Sequence, residues 1–290
     1  MMRIVLGLFM VAALGMAVFS FASGGRGKQR TLNVVGSTSI EPFAGMLSEE
    51  YGRTRPGANV EVQGGGSTAG LQACAEGIAD IGMCSRSLRD DEARGFSGIP
   101  IALDGLAVVV HPSNPVGELS RVQIRDIFSG AITNWSKVGG DDRRIWPITR
   151  EEGSGTREAF VKLVMEVKHP AGHDAAISAP AAEVNRIPPR ISRKALTQES
   201  NGAVKELVKG DPCAVGYLSL GLVGTEVKAL EIDGAAATAE HVVSGTYGLA
   251  RPFLFVTKGA PGPAAQQFID YVLSPEGQQM LQSEGLVRAR

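Results

Sequence analysis

Three stretches decide the fold: LNVVGSTS at residues 32–39, NVEVQGGGST at 59–68 and DIGMCSRS at 80–87. Each joins a short apolar or β-branched run, which reads as a strand, to a turn of glycines and hydroxyl residues. Between the first two, Pro42 to Tyr51 carries Phe43, Met46, Leu47 and Glu50 at helical spacing. Between the second and third, Ala69 to Glu76 forms another helix-like stretch. The result is βαβαβ, which predicts an α/β fold with a mainly parallel sheet and helices on its faces.

Further along, Leu103 to His111 is a strongly apolar strand suited to leaving one domain and entering another. Val122 to Phe128 reads as a helix, Trp135 as a turn and Ile145 to Thr149 as a strand. Gly153-Ser154-Gly155-Thr156 is a fourth polar turn, followed by an amphipathic helix from Arg157 to Glu166. Residues 168–193, with four prolines, read as loop and connection. Beyond them come a helix at Ala203 to Lys209 and a strand at Ala214 to Leu218. A strand at Leu249 to Thr257 broken by Pro252 follows, then a helix at Pro263 to Leu281 interrupted by Ser274-Pro275. Two α/β lobes are expected, the first from residues 31–106 with 246–290 and the second from 107–245, with two crossings between them.

Of the 290 residues, 43% are hydrophobic and 20% charged, enough apolar content for real cores. The net charge is −1, so there is no basic excess for nucleic acid, and any anion site must be local. Met1-Met2-Arg3, the uncharged run Ile4 to Phe19 and the small residues in Ser20-Phe21-Ala22 read as a secretory signal peptide over residues 1–22. An uncleaved membrane anchor is the alternative, because the run is long for a signal. Residues 23–30 form a Gly-rich basic lead-in. Export would place Cys74, Cys84 and Cys213 in an oxidising space, with at least one unpaired; a Cys74–Cys84 bridge and three small buried thiols are the two readings. No Cys/His cluster points to a metal and no motif points to a cofactor.

The chemistry lies in the four turns: Gly36-Ser37-Thr38-Ser39, Gly66-Ser67-Thr68, Ser85-Arg86-Ser87 and Gly153-Ser154-Gly155-Thr156. A helix should start after the first, second and fourth. Helix N-termini present unpaired N–H groups and partial positive charge, glycines admit a ligand close to the backbone, and hydroxyls add neutral donors. Each turn alone is explained by helix capping. The set, at the carboxyl ends of strands, makes a neutral anion cradle. Arg150, three residues before Gly153, supplies a forked cationic donor. Arg86 is a further candidate, and Arg157 either joins the site or lies on a solvated helix face. The pattern lacks the P-loop Lys-Ser/Thr pair and a GxSxG elbow, and His111, His169, His173 and His241 stand apart from any nucleophile. A non-enzyme follows, with a secreted phosphatase as the weaker alternative.

At these residues the chain resembles the phosphate-binding proteins of bacterial phosphate ABC transporters. The resemblance runs through VVGSTSIEPF (34–43), QGGGSTAGL (63–71), DIGMCSRSL (80–88), TNWSKVGG (133–140), ITREEGSGTREAF (148–160), NGAVKELV (201–208), AVGYLSLG (214–221) and RPFLFVTKG (251–259). It implies a two-lobed periplasmic-binding-protein-like fold of type II that closes on one phosphate in the interdomain cleft. It also implies a monomeric periplasmic or extracellular receptor that partners an ABC permease. Carried over by motif, the ligand-binding residues are Thr38, Ser39, Ser67, Ser85, Arg150, Ser154, Gly155 and Thr156. Some family members carry an Asp at the Ser85 position that accepts the proton of phosphate. A hydroxyl there keeps sulfate or molybdate open as alternative ligands. Glu41 and Asp104 are the carboxylates that could replace the Asp.

Overall fold

The computed structural model describes residues 31–168 and 190–289. The leader, the lead-in, most of the 168–193 connection, His169 and His173 lie outside the described residues. Eight strands of three or more residues organise the chain: β1 Leu32–Gly36, β2 Val60–Gly64, β3 Ile81–Cys84, β4 Ser97–Val110, β5 Trp146–Arg150, β6 Leu196–Gln198, β7 Ala214–Ser219 and β8 Ala250–Thr257. The helices are α1 Glu41–Thr54, α2 Ser67–Ala75, α3 Arg121–Ser129, α4 Gly155–Phe160, α5 Asn201–Gly210, α6 Ala239–Ser244, α7 Pro263–Leu273 and α8 Pro275–Ser283.

Hydrogen bonds run through the strands in the order β2-β1-β3-β8-β4-β7-β5-β6. β1 is parallel to β2 and β3, and β5 is parallel to β6 and β7, as βαβ logic requires. The centre differs from the expected mainly parallel sheet, because β8 runs antiparallel to both β3 and β4, and β4 antiparallel to β7. The reason is the length of β4. Its first part, Ser97 to Gly105, pairs with β8, and its last part, Leu106 to Val110, pairs with β7. One 14-residue strand thus serves both ends of the sheet, and no helical crossover intervenes. Pro252 does not break its strand. It sits opposite Leu103, and the ladder absorbs its missing N–H with a register shift between Phe253 and Leu254.

Apolar side chains separate at the same place. One core joins Leu32, Val34, Phe43, Leu47, Ile81 and Ile101 to Phe253, Phe255, Phe268 and Leu281. Another joins Leu106, Val108, Ile124, Phe128, Phe160, Tyr217, Tyr247 and Leu249. Each fully buried side chain of this size contributes about 1.5–3 kcal/mol.

Local signals set the helix starts. Ser120 and Gln123 form a reciprocal capping box at α3, and the Ser200 hydroxyl caps α5 through Ala203 N–H. Ser274 caps α8 and Pro275 occupies its first position, so the C-terminal helix is two helices. The helix expected over 157–166 begins earlier, at Gly155, and passes into a π-turn at Val161–Met165. All three cysteines are free, with Cys74 and Cys84 buried. Burial pushes the Cys74 thiol up to about 11, so it stays protonated and inert.

Candidate functional site

The polar turns meet where the two cores adjoin. Gly36 has φ +143°, and a Cβ there would run into the Met83 backbone, so only glycine brings the first turn against β3. Helices do follow the first, second and fourth turns, at Glu41, Ser67 and Gly155. The first residues of a helix have no intrahelical acceptor for their N–H groups; here Glu41 N–H turns to Ser37 O, Thr68 N–H to Gly153 O and Arg157 N–H to the Ser154 hydroxyl. The structure brings Ser39, Ser67, Ser85, Ser154 and Thr156 to at most 1% exposure, with Thr38 half-buried beside them.

The hydroxyls touch across the seam. Ser39 Oγ lies 2.7 Å from Thr156 Oγ1, and Ser67 Oγ lies 3.4 Å from Ser85 Oγ while accepting from Ser85 N–H at 3.1 Å. Thr68 N–H donates to Gly153 O at 3.1 Å, tying the second turn to the fourth. Gly155 fits between the serines: a Cβ there would overlap Ser67 Oγ and stand 2.7 Å from Ser85 Oγ. Gly155→Ala is therefore expected to hold the turns apart at a cost of about 1–3 kcal/mol. Phosphate titration should then show an affinity loss of roughly five- to hundred-fold, with secondary structure unchanged by circular dichroism. The Ser154 hydroxyl accepts from Arg157 N–H at 3.3 Å, so its side chain caps α4.

Arg150 is 1% exposed. Its Nε donates to Glu151 Oε2 at 2.9 Å and Gln198 O at 3.1 Å. Its Nη2 donates to Glu151 Oε1 at 2.9 Å, Thr38 Oγ1 at 3.1 Å and Glu199 O at 3.1 Å. Its Nη1 is buried with no hydrogen-bond partner. A buried donor left unpaired costs about 1–3 kcal/mol, so Nη1 calls for an acceptor oxygen. The strand end that carries Arg150 is held from below. Tyr217 Oη lies 2.7 Å from Thr149 Oγ1 and accepts from Arg150 N–H at 3.2 Å, while the Tyr217 ring stacks on Phe160 at 4.0 Å. Burial raises the Tyr217 phenol, so it stays a neutral hydroxyl.

Two sequence candidates have partners of their own. The Arg86 guanidinium forms an ion pair with Glu92 at 2.7 Å and approaches Glu158 at 2.9 Å, so two carboxylates engage it. Arg157 is half-buried at the foot of α4. It donates to Arg150 O at 2.7 Å and braces the strand end.

Sequence reasoning missed a second arginine. Arg251 on β8 is cross-strand partner of Asp104 on β4, beside the point where β4 changes neighbours. The two side chains are 2% and 0% exposed and pair at 2.9 Å. Arg251 also reaches Ser39 Oγ at 3.2 Å, Thr156 Oγ1 at 2.7 Å and Ser85 O at 3.3 Å. Asp104 accepts from Ser219 Oγ at 2.7 Å and from the Leu220 backbone. Burial pushes its carboxyl up, and Arg251 and these donors pull it back. Asn201, at the start of α5, completes the group by donating from Nδ2 to Ser39 Oγ at 2.9 Å. The expected single cationic donor is thus two, each held by one carboxylate. Of the two carboxylates left open, Asp104 is enclosed by Arg251 and Ser219, and Glu41 lies against the Gly64 backbone. Among the described residues no cluster of His, Cys, Asp and Glu could hold a metal ion.

A curled mixed α/β sheet with hydroxyl-rich turns meeting where two cores adjoin is the architecture of the PBP-like class. The model for the PBP superfamily domain matches residues 22–276, and the chain belongs to that family. It is 30% identical over 264 residues to the phosphate-binding protein PstS of Bacillus subtilis, covering 90% of this chain and 81% of that one. A crystal structure of a candidate phosphate ABC transporter substrate-binding protein from Clostridium perfringens, with bound phosphate, superposes with TM-score 0.79 at 35% identity, covering 90% of this chain and 100% of that one. An ABC-type phosphate transport receptor from Vibrio cholerae gives TM-score 0.70 at 35% identity, with 89% and 100% covered.

Proposed function

We propose that this protein is an extracytoplasmic solute-binding protein that captures inorganic phosphate and delivers it to an ABC importer. The observation that carries the proposal is Arg150 Nη1, buried without a partner beside the neutral hydroxyls and backbone groups of Thr38, Ser39, Ser67, Ser85, Ser154, Gly155 and Thr156. A tetrahedral oxyanion satisfies such a set, because each of its oxygens accepts and none needs a counter-charge of its own. Residues 31–106 with 246–290 form one lobe and 107–245 the other, hinged where β4 and β8 cross. Closure brings the first three turns onto the fourth and shows a permease a composite face. The protein acts as a monomer without a cofactor and catalyses nothing. The leader at 1–22 takes it out of the cytoplasm, cleaved or retained as an anchor.

Sulfate or molybdate is the second reading, favoured by Ser85 where a carboxylate would reject a fully deprotonated anion. Calorimetry on residues 23–290 with phosphate, sulfate and molybdate separates the two. Phosphate binding at micromolar or lower Kd with sulfate at least a hundredfold weaker is the expected result. No phosphate binding at millimolar concentration would overturn the proposal.

A further inference from the structure

Hydrogen-bond directions within the hydroxyl cluster are fixed by neighbours that can play one role each. Ser219 N–H can only donate, and it meets Asn201 Oδ1 at 3.3 Å. That contact orients the Asn201 carboxamide and turns its Nδ2, a donor, toward Ser39 Oγ at 2.9 Å. Arg251 Nη2, also a donor, reaches the same oxygen at 3.2 Å. A hydroxyl oxygen has two lone pairs, so Ser39 is filled as an acceptor. Its own proton goes to its remaining neighbour, Thr156 Oγ1, at 2.7 Å. Thr156 Oγ1 accepts that proton and another from Arg251 Nη1 at 2.7 Å, so it too is filled. The Thr156 O–H is then a donor that neither Ser39 nor Arg251 can accept.

We propose that Asn201 is a positioning residue that acts through Ser39 to fix Thr156 as an obligate donor to the bound anion, so that the site prefers the more deprotonated form of phosphate. The inference rests on the phosphate reading above. Without Asn201 Nδ2, a lone pair of Ser39 is freed, the Ser39–Thr156 bond can reverse, and Thr156 can turn a lone pair toward a protonated ligand oxygen. Ser85 Oγ, outside this chain of bonds, keeps acceptor capacity for the proton that phosphate retains.

Asp104 and Arg251, Arg150 and Glu151, Arg157, Tyr217, Arg86 and Cys84 are the titratable and charged groups packed around the cluster. All are shared by the wild type and an uncharged variant, so a difference between their pH profiles reports on the hydroxyls. The experiment is calorimetric phosphate titration at a series of pH values spanning the second ionisation of phosphate, for wild type, Asn201→Ala and Ser39→Ala. Ser39→Ala breaks the same relay while leaving Ser219 N–H paired, which covers a folding defect in Asn201→Ala. In the wild type, affinity should rise with pH across the range. In both variants the ratio of alkaline to acid affinity should fall roughly fivefold to tenfold, the worth of one hydrogen bond. The same ratio in all three proteins, even with weaker binding throughout, overturns the inference alone. Absence of wild-type phosphate binding overturns the functional reading and the inference with it.

Discussion

Arg150→Ala should weaken phosphate binding by about 2–4 kcal/mol, a loss of roughly thirty- to a thousand-fold. Nearly all other donors in the cluster are neutral hydroxyls and backbone N–H groups. Arg251 is the other cation, but Asp104 holds it, and its remaining donors face Ser39, Thr156 and Ser85 O. Of these two arginines, Arg150 is the one that keeps a buried nitrogen without a partner. Removing the guanidinium deletes that donor and leaves the Glu151 carboxylate facing the anion. Arg150→Lys should recover little, because an ammonium cannot span Glu151, Thr38 and the two carbonyls with a fork to spare. Calorimetry measures the affinity. A melting curve of the ligand-free variants separates this loss from the smaller effect of removing the guanidinium from Glu199 O and Gln198 O, the latter still paired with Glu151 N–H. An affinity within threefold of wild type would remove Arg150 from the site.

The outer parts of the fold were legible because their signals are local. Short β-branched runs, Gly/hydroxyl turns and helical spacing place β1 to β3, α1 and α2 within three residues of their observed bounds. The antiparallel centre was not legible. A parallel βαβ unit announces itself through its helix, whereas β4 and β8 meet after 139 residues of intervening chain and only their pairing makes them central. Pro252 misled for a related reason, since a proline at a register shift reads like a strand breaker until the partner strand is seen. Within the site, turn residues could be named because hydroxyls and glycines cluster in sequence. Arg251 and Asn201 could not, although both stand in stretches that carry the family resemblance. Arg251 lies outside any Gly/Ser turn, Ser200 and Gly202 beside Asn201 read as an ordinary helix start, and each residue reaches the cluster from a distant segment. The signal that could have found Arg251 is an arginine heading an apolar strand, a position that demands a buried carboxylate, and Asp104 is likewise the one charge within Ile99 to Val110. Arg86 has a pairing that the sequence did not reveal either. It sits in a polar turn, but Glu92 six residues on claims it, a pairing that spacing does not distinguish from a ligand contact.

Arg251→Met should destabilise the ligand-free protein by about 3–5 kcal/mol, because it strands a carboxylate in the interior. Asp104 is fully buried, and without Arg251 its counter-donors are Ser219 Oγ and the Leu220 backbone. The double change Arg251→Met with Asp104→Leu should recover much of that loss, since apolar side chains of similar volume replace a buried pair at little net cost. The sign of the pH dependence follows from Asp104. Burial raises its carboxyl, Arg251 opposes the rise, and removing Arg251 lets it climb further above the unfolded value of about 3.9. Between the unfolded and folded values the native state holds a proton that the unfolded chain has released. Stability is then present below that window and lost as pH rises through it. The deficit of Arg251→Met should therefore be largest at neutral pH and shrink toward acid, while the double variant shows no such trend relative to wild type. Denaturant melts over a pH series measure this directly, and a deficit independent of pH would mean that Asp104 is not the group left stranded. Because Arg251 also donates to Ser39 and Thr156 across the seam, the double variant, though folded, should still bind phosphate more weakly than wild type. The central strand pair of β4 and β8 and the hydroxyls of the proposed site thus answer to one guanidinium.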